Sequence, residues 1–452
     1  MGIQSCAITG HDSLSGHYRF WKECTKHGIK PLLGWEGYLD LDDGEKYYHI
    51  LFIAKNMDGL INLRELSTKA WLENYYYRPR IKLEWLQEFG QNLIITDACL
   101  GGFVKKYLMR IIEAESEQDN KLVMQLYQYL DVKIKEIMSY TEDFYIELQA
   151  GLQPEQVLVN KRLVGLAKHY GLKLVCSSDI HYLTPNDKKL HELFLKSRED
   201  NEREQEDFYN HTYLMTYEEM YEIFKSHLDD ATIVQMFKNT NEIANQVENV
   251  VLSHAPVLPV ISDIDVIHYG YFDYLLNDYE YIKKYYYSDY IIDQYWLSLI
   301  EKGHLENISH DIKYDSKEYI DRIEEELKVK WLVSEKINQR MSQYYVSDYI
   351  HIKLAEEAGS LTGVARGSAG AMYTCYCAGT IQLDPVEYGL PIWRHIDDLR
   401  PELADKDNDH QPERKSHIME KVQEYHGTDK VISVCTFGTV SSRSALQAAG
   451  RG

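Results

Sequence analysis

The sequence predicts an α/β protein with more than one domain. Over about the first 180 residues, short apolar runs alternate with amphipathic stretches of helical periodicity, which is typical of consecutive β/α units. Pro256 and Pro259 break this pattern between residues 251 and 267, and we take that segment as a domain boundary. Beyond it the chain has a helical, charged pattern that leads to a glycine-rich loop at residues 363–370. The chain has 452 residues, enough for roughly two to four domains with separate cores.

The elements of the first part can be assigned one after another. Gly28 ends a predicted helix over residues 16–27, and Gly171 ends another over residues 155–170, whose apolar side chains recur on one face. The predicted strands are residues 5–9, 30–33, 47–54, 92–96 and 172–177.

Composition and charge exclude several classes of protein. No apolar run approaches the roughly eighteen residues that a membrane span needs, and the first residues lack the basic and apolar regions of a secretory signal. The seven cysteines include no Cys-x-x-Cys pair, which indicates reduced thiols. We therefore expect a soluble, cytoplasmic protein. The net charge of −22 does not exclude nucleic acid, because residues 411–452 hold six Lys and Arg against four Asp and Glu, a local excess of two positive charges.

Ten tyrosines lie between residues 269 and 296. They could stack on the bases of a single strand, or they could form the half-buried faces of helices. The second interpretation is the more common one for such a stretch.

Side chains that bind metals recur where predicted strands end. His11 follows residues 5–9, Glu36 follows residues 30–33, and Cys99 follows residues 92–96. Asp179 and His181 follow residues 172–177. In β/α barrels the carboxyl ends of the strands meet at one rim, where imidazole, carboxylate and thiolate groups can bind ions such as zinc or manganese. Any one of these residues alone is more often structural, so the prediction depends on their repetition.

The motifs around these residues resemble a known family. AITGHD at residues 7–12, GIKPLLGWE at 28–36, YHI at 48–50, DACL at 97–100 and SDIHY at 178–182 are similar, in this order, to the PHP domain that opens the alpha subunit of bacterial DNA polymerase III. The resemblance implies that a Zn²⁺ or Mn²⁺ ion is bound by His11, Glu36, His49, Cys99, Asp179 and His181. The family begins one strand earlier with a His-x-His pair, and it has Asp where this chain has Gly10, so we expect one ion rather than a full hydrolytic centre.

A second set of motifs lies in the glycine-rich loop and beyond it. Small residues at 363–370 let backbone N–H groups approach phosphate, and Arg366 supplies a bidentate donor, although a flexible turn is the commoner interpretation. Asp405, Asp407 and Asp409 alternate, so on a strand they would share one face, as magnesium-binding carboxylates do. Taken alone, this polar segment would be assigned as a solvated loop.

The order of these motifs resembles the palm of the same alpha subunit. YIDRIEEEL at residues 319–327, the Arg-Gly-Ser loop, LDP at 383–385, the aspartates and TFGT at 436–439 follow one another as in that family. The resemblance implies that Asp405 and Asp407 are catalytic ligands of two Mg²⁺ ions. It also implies that the incoming triphosphate is bound by Arg366, Gly367 and Ser368, with Arg443 near a phosphate. Lys406 and Asn408 replace apolar residues of the family, and Ala404 replaces a proline, so we expect a poorly packed strand.

The fold expected from both resemblances is a truncated PHP-type β/α barrel followed by a nucleotidyltransferase-type palm that is incomplete at its C-terminus. The domains would be residues 1–248 for the barrel without its first unit, 249–432 for a partial palm and 433–452 for the start of the thumb. The implied enzyme is a DNA-directed DNA polymerase that transfers deoxynucleotides from their triphosphates to the 3′-hydroxyl of a primer-template. A sliding clamp and other replisome subunits would bind a further C-terminal part.

Three expectations accompany this assignment. The isolated chain is expected to be inactive, because it would be a fragment that arises from a split gene, a truncation or a misassigned frame, with a phage as one possible source. A stand-alone PHP-type phosphoesterase is the first alternative, and metal analysis would test it. A non-catalytic replisome remnant is the second, and primer extension would test it.

Overall fold

The computed structural model describes residues 2–196, 208–254, 257–262, 264–403, 406–434, 436, 438 and 440–450. The chain forms two compact units, one of Met1–His254 with Gly438–Gly452 and one of Ala255–Phe437. Each unit has its own hydrophobic core. Among the described residues, no helix is both long and apolar enough to cross a membrane.

The first unit is built on one curled, eight-stranded sheet with helices packed around it. The strands follow the order β4-β5-β2-β3-β6-β7-β8, and β1 pairs with β2 beside this path. The strands are β1 (Ser5–Ile8), β2 (Lys30–Asp40), β3 (Tyr48–Ala54), β4 (Tyr75–Tyr76), β5 (Arg78–Lys82), β6 (Leu93–Thr96), β7 (Phe144–Gln149) and β8 (Lys173–Ser177). The helices are α1 (His17–Lys26), α2 (Met57–Glu73), α3 (Leu86–Phe89), α4 (Phe103–Ser116), α5 (Asn120–Tyr140), α6 (Pro154–Tyr170), α7 (Lys188–Lys196), α8 (Tyr217–Lys225) and α9 (Asp230–Gln246).

Local signals in the sequence explain most of these boundaries. Helix α6 has Pro154 at its first position and ends at Gly171, which adopts a left-handed φ of 68°. Asn56 caps α2 by accepting a hydrogen bond from the Gly59 N–H at 2.9 Å. The predicted strands at residues 5–9, 47–54, 92–96 and 172–177 each differ from the observed strand by one residue.

Strand β2 corrects two expectations. It runs for eleven residues instead of four, because every residue from Pro31 to Leu39 is buried between neighbouring strands. Glu36 therefore lies inside the strand and not after its end. The sheet is also mixed, since β3 is antiparallel to both β2 and β6, whereas consecutive β/α units would make it wholly parallel.

The second unit is helical in the part of the chain that the structure describes. Its helices are α10 (Glu280–Tyr286), α11 (Ile291–His310), α12 (Lys317–Ile337), α13 (Met341–Glu357), α14 (Tyr373–Cys377) and α15 (Lys415–His426), and α16 (Ser442–Ala449) belongs to the first unit. Its described residues contain one isolated β-bridge, between Thr362 and His410, and no strand. Residues 406–409 are thus not part of a strand, although Asp407 and Asp409 still alternate with their neighbours.

The tyrosine-rich stretch packs mainly into this helical core. Only three of its ten tyrosines are exposed, Tyr269, Tyr274 and Tyr287, while Tyr285 is fully buried. The remaining six are half-buried, as the helix-face interpretation predicts.

Candidate metal and nucleotide sites

The first candidate site lies on strands β2 and β3. Glu36 and Tyr38 share one face of β2, His49 is paired with Tyr38 across the antiparallel register, and His11 forms a parallel bridge with Glu36. Nδ1 of His49 is 2.7 Å from Oε1 of Glu36, and Nε2 of His11 is 3.5 Å from Oε2 of the same carboxylate. One ligand atom from each of His11, Glu36 and His49 lies within 4.8 Å of the others. This spacing is suitable for a single bound ion.

Cys99 joins this cluster from the loop that follows β6. Its Sγ is 3.2 Å from Nδ1 of His49 and 3.7 Å from Oε1 of Glu36. The loop turns at Ala98, which has a left-handed φ of 54°. Burial raises the pKa of the Cys99 thiol, and the carboxylates of Glu36 and Asp179 raise it further. Only a cation nearby would favour the thiolate that binds metal.

A buried ion pair holds the Cys99 loop in place. Nζ of Lys105 is 3.2 Å from Oδ2 of Asp97, and both side chains are fully buried. The same ammonium group donates a hydrogen bond to the carbonyl of Ala98, and Oδ1 of Asp97 accepts one from the N–H of Glu147 at 2.7 Å. Because Lys105 contacts both the Asp97 carboxylate and the carbonyl of Ala98, the conformation of the loop depends on this ion pair.

Asp179 and His181 approach the cluster from the loop after β8. Nδ1 of His181 donates to the Asp179 carbonyl at 2.7 Å, which fixes the ring and leaves Nε2 for another ligand. Burial raises the pKa of Asp179 to about 6, and the charge of Glu36 adds to this shift. Burial lowers the pKa of His11, and His181 contributes to this; burial raises the pKa of Glu36, and His181 opposes part of that rise. His11, Glu36 and His49 thus lie close enough to share one ion and Cys99 contacts them, whereas Asp179 and His181 interact with them electrostatically and their role as ligands stays a prediction.

Glu147 is a member of this group that the sequence analysis missed. It lies in the fully buried strand β7, where Oε2 accepts a hydrogen bond from Thr96 Oγ1 at 2.6 Å and Oε1 accepts one from Ser177. Its charge raises the pKa values of Glu36 and Asp179. The signal available in the sequence was a lone carboxylate in the apolar run FYIELQ, because buried strands rarely carry an unpaired charge.

The second candidate site lies at the glycine-rich loop of the other unit. NH1 of Arg366 is 2.6 Å from Oδ1 of Asp409, and its Nε is 4.0 Å from Oδ2 of Asp407. Gly367 has a φ of 67°, and a Cβ added there would lie 3.0 Å from Oδ2 of Asp407. The left-handed φ favours glycine at this position, and a larger side chain would press on the Asp407 carboxylate. Arg366, Gly367 and Asp407 are thus together, next to Ser368.

The side chain of Lys406 is buried, and the exposed residue Asn408 shares its partner. Asp348 on α13 accepts hydrogen bonds from both, from Nζ of Lys406 through Oδ2 and from Nδ2 of Asn408 through Oδ1 at 2.7 Å. Lys406 and Asp348 are both buried. Asp348 thus satisfies both polar residues, but Asp407, Asn408 and Asp409 are exposed, and the expectation of a poorly packed segment stays a prediction.

Some of the remaining predicted residues lie outside the part of the chain that the structure describes. Asp405 and Ala404 lie outside the described residues, as do Phe437 and Thr439 of the TFGT motif. Arg443 is exposed on α16, in the first unit, and its role stays a prediction.

Ser368 is hydrogen-bonded to a buried histidine. Its Oγ is 2.8 Å from Nδ1 of His395. Burial lowers the pKa of His395 to about 3, and the ammonium groups of Lys406 and Lys330 contribute. The imidazole is therefore neutral. Lys330 lies 4.0 Å from the ring centre of Tyr345 and donates to Thr374, in the helix that follows the loop.

The contact of Asp348 with Lys406 predicts a large loss of stability when the Asp348 side chain is removed. Asp348→Ala leaves the buried ammonium of Lys406 unpaired, which should lower the free energy of unfolding by about 3 to 5 kcal/mol. Asp398→Ala is the matched control, since it breaks an ion pair with Lys336 in which both side chains are substantially exposed, and it should cost less than about 1 kcal/mol. Urea unfolding followed by circular dichroism measures both values. Equal small losses would contradict the assigned contact.

His395 predicts a specific pH dependence. Its pKa is lower in the folded state than in the unfolded chain, so protonation favours unfolding, and stability is lost as the pH falls below the unfolded value near 6.5. Between pH 7 and pH 5, the wild-type protein should lose about 2 kcal/mol more than His395→Phe. Urea titrations of both proteins at the two pH values measure this difference. The same pH dependence in both would show that the histidine is not buried and neutral.

Comparison with known proteins agrees with this arrangement. Residues 1–151 match the family model of the PHP domain, and residues 294–452 match that of the bacterial DNA polymerase III alpha NTPase domain. The chain is 34% identical to the DNA-directed DNA polymerase of Bacillus phage SPbeta and 29% identical to the DNA polymerase III subunit alpha of Aquifex aeolicus. Each alignment covers 100% of this chain and 37% of the relative.

These matches decide the family but not the activity of this chain, which spans only about 37% of the length of these relatives. Two separate family models match in the order that the sequence motifs predicted. The chain belongs to the bacterial DNA polymerase III alpha family and corresponds to its amino-terminal part.

Proposed function

We propose that the second unit is part of the palm of a DNA-directed DNA polymerase, which adds deoxynucleotides to the 3′-hydroxyl of a primer-template. The observation that carries this proposal is the contact between the Arg366–Gly367 turn and Asp407. In this contact, Arg366 offers a bidentate donor to phosphate, Gly367 brings the backbone close, and Asp407 supplies a carboxylate that can bind magnesium. In this proposal the domains are residues 1–248, 249–432 and 433–452.

The residues present suit magnesium. Asp407 is half-exposed, and Mg²⁺ prefers carboxylate oxygens while keeping several of its waters. Asp405 and Asp407 would hold two ions, which neutralise charge on the triphosphate and on the attacking oxygen. Arg366 would leave Asp409 and bind the phosphates instead. The Ser368 hydroxyl would either keep its hydrogen bond to His395 or donate to a phosphate oxygen. Lys406 and Asn408 anchor the segment from behind, so that Asp407 keeps its direction.

The test of this proposal is magnesium-dependent binding of a deoxynucleoside triphosphate. Equilibrium dialysis with labelled nucleotide should show binding that requires Mg²⁺ and that weakens at least tenfold in Asp407→Asn, because the ion then loses a charged ligand. Asp397→Asn is the control, since its carboxylate accepts a hydrogen bond from the Leu399 N–H. Binding that is lost in Asp397→Asn and kept in Asp407→Asn would place the magnesium elsewhere. A wild-type chain with no Mg²⁺-dependent binding would contradict the proposal itself.

We also propose that the first unit holds a structural or regulatory Zn²⁺ or Mn²⁺ ion between His11, Glu36, His49, Cys99, Asp179 and His181. The donors fit such an ion, since they include three imidazoles, a thiol and two carboxylates whose pKa values are raised, first of all by burial. The ion would offset the repulsion among Glu36, Asp179 and Glu147. A sliding clamp and other replisome subunits are proposed as partners of the longer assembly.

Metal content tests this second proposal. Purified protein should contain about one transition-metal ion per chain by elemental analysis, and Asp179→Ala should lose it. Asp131→Ala, on the outer helix α5, is the control and should keep it. Three bound ions with phosphatase turnover would favour a stand-alone phosphoesterase instead, and an unchanged metal content in Asp179→Ala would remove that residue from the site.

A further inference from the structure

The end of α2 and the β4–β5 hairpin expose a cluster of aromatic side chains. Trp71 is 46% exposed, Tyr75 and Tyr76 are each 54% exposed, and Tyr77 is 77% exposed. We define the hairpin patch as these four residues with Arg78. Single exposed aromatic residues are ordinary, but four that adjoin one another, three on the hairpin and one at the end of α2, are typical of a binding surface.

The rings are arranged as stacking partners. Trp71 and Tyr75 are stacked, with ring centroids 5.3 Å apart and planes 17° from parallel. Tyr76 and Tyr77 meet edge to face at 4.8 Å. Arg80, in the same hairpin, lies over the ring of Tyr76 at 5.3 Å. Flat aromatic faces beside guanidinium groups are the surface on which unpaired bases stack.

Tyr77 occupies a backbone conformation that its side chain does not favour. Its φ is 59°, in the left-handed region, where a bulky residue costs roughly 1 to 2 kcal/mol and Gly or Asn would be more stable. The ring gains little packing in return, because it is largely exposed. Strain of this kind, kept without a benefit to folding, is characteristic of a side chain retained for binding.

The hairpin patch is continuous with the candidate metal site. Trp71 Nε1 donates to the carbonyl of Asp12 at 3.0 Å, and NH1 of Arg78 is 2.5 Å from Oδ2 of the same residue. Asp12 directly follows His11, and Tyr38, whose ring lies under Arg78, is hydrogen-bonded to Nδ1 of His11 at 3.3 Å. A strand lying on the hairpin patch would thus have one end beside His11.

We infer that the hairpin patch binds single-stranded DNA, with about four bases stacked on its rings and one end of the strand directed to the metal site. A single strand is favoured over a duplex, because duplex bases already stack on each other. It is favoured over a protein partner, because the surface combines aromatic faces with arginines and not with an apolar groove. Arg78 and Arg80 already pair with Asp12 and Asp40, so stacking rather than charge should dominate. The inference rests on the proposed metal site only for the direction of the strand.

Fluorescence anisotropy with a labelled oligothymidylate of about 12 nucleotides tests this inference. The double variant Tyr76→Ala/Tyr77→Asn removes two rings while Asn keeps the left-handed backbone, so the fold should be retained, and circular dichroism checks this. We expect its affinity for the single strand to fall at least tenfold. The control is Tyr274→Ala/Tyr287→Ala, which removes two exposed rings of the tyrosine-rich stretch and should bind as the wild type does.

Three results would overturn the inference. They are unchanged affinity in the hairpin variant, an equal loss in the control variant, and tighter binding of wild type to a duplex of the same length. A wild-type chain that binds no DNA would also overturn it and leave a protein as the partner of the hairpin patch. Repeating the titration with EDTA and with Asp179→Ala separates DNA binding by the hairpin patch from the proposed metal site. The affinity for the single strand should persist when the metal site is lost, because it depends on stacking.

Discussion

A carboxylate that is buried in a protein must find a partner or take up a proton, and this requirement organises both units. In the first unit, Glu36 lies in the middle of a buried strand and contacts His11, His49 and Cys99. The imidazoles and the thiol offset part of its charge, but the carboxylates of Asp179 and Glu147 repel it. Burial first, and then this repulsion, raises the pKa values of Glu36 and Asp179, and the proposed cation would stabilise both carboxylates.

The same constraint orients the loops of the second unit. Glu326 on α12 accepts hydrogen bonds from the N–H groups of Tyr373 and Thr374 at 2.6 and 2.9 Å, which fixes the start of the helix after the glycine-rich loop. Asp348 fixes the segment that carries Asp407 from the other side. The loop and the carboxylate therefore meet because two buried acids hold the chain on either side of them.

Sequence patterns predicted what depends on local chemistry. Gly171 and the short apolar strands were placed to within one residue, because turns and strand periodicity are encoded nearby. The pairing of strands and side chains from different segments is not determined by such local signals. The antiparallel direction of β3, the full length of β2 around Glu36, and the contribution of Glu147 all depend on which strands become neighbours. Likewise, Lys406 looked like a packing defect because its partner Asp348 is 58 residues away in the sequence.

We have proposed that acids and histidines of the first unit bind one cation. Anomalous diffraction from crystals soaked in MnCl₂, collected on both sides of an absorption edge, tests it most directly. The account predicts a single strong peak in the first unit, about 2.0 to 2.2 Å from the nitrogen and oxygen ligands of His11, Glu36 and His49. Absence of a peak there, while manganese occupies exposed carboxylates elsewhere, would contradict it.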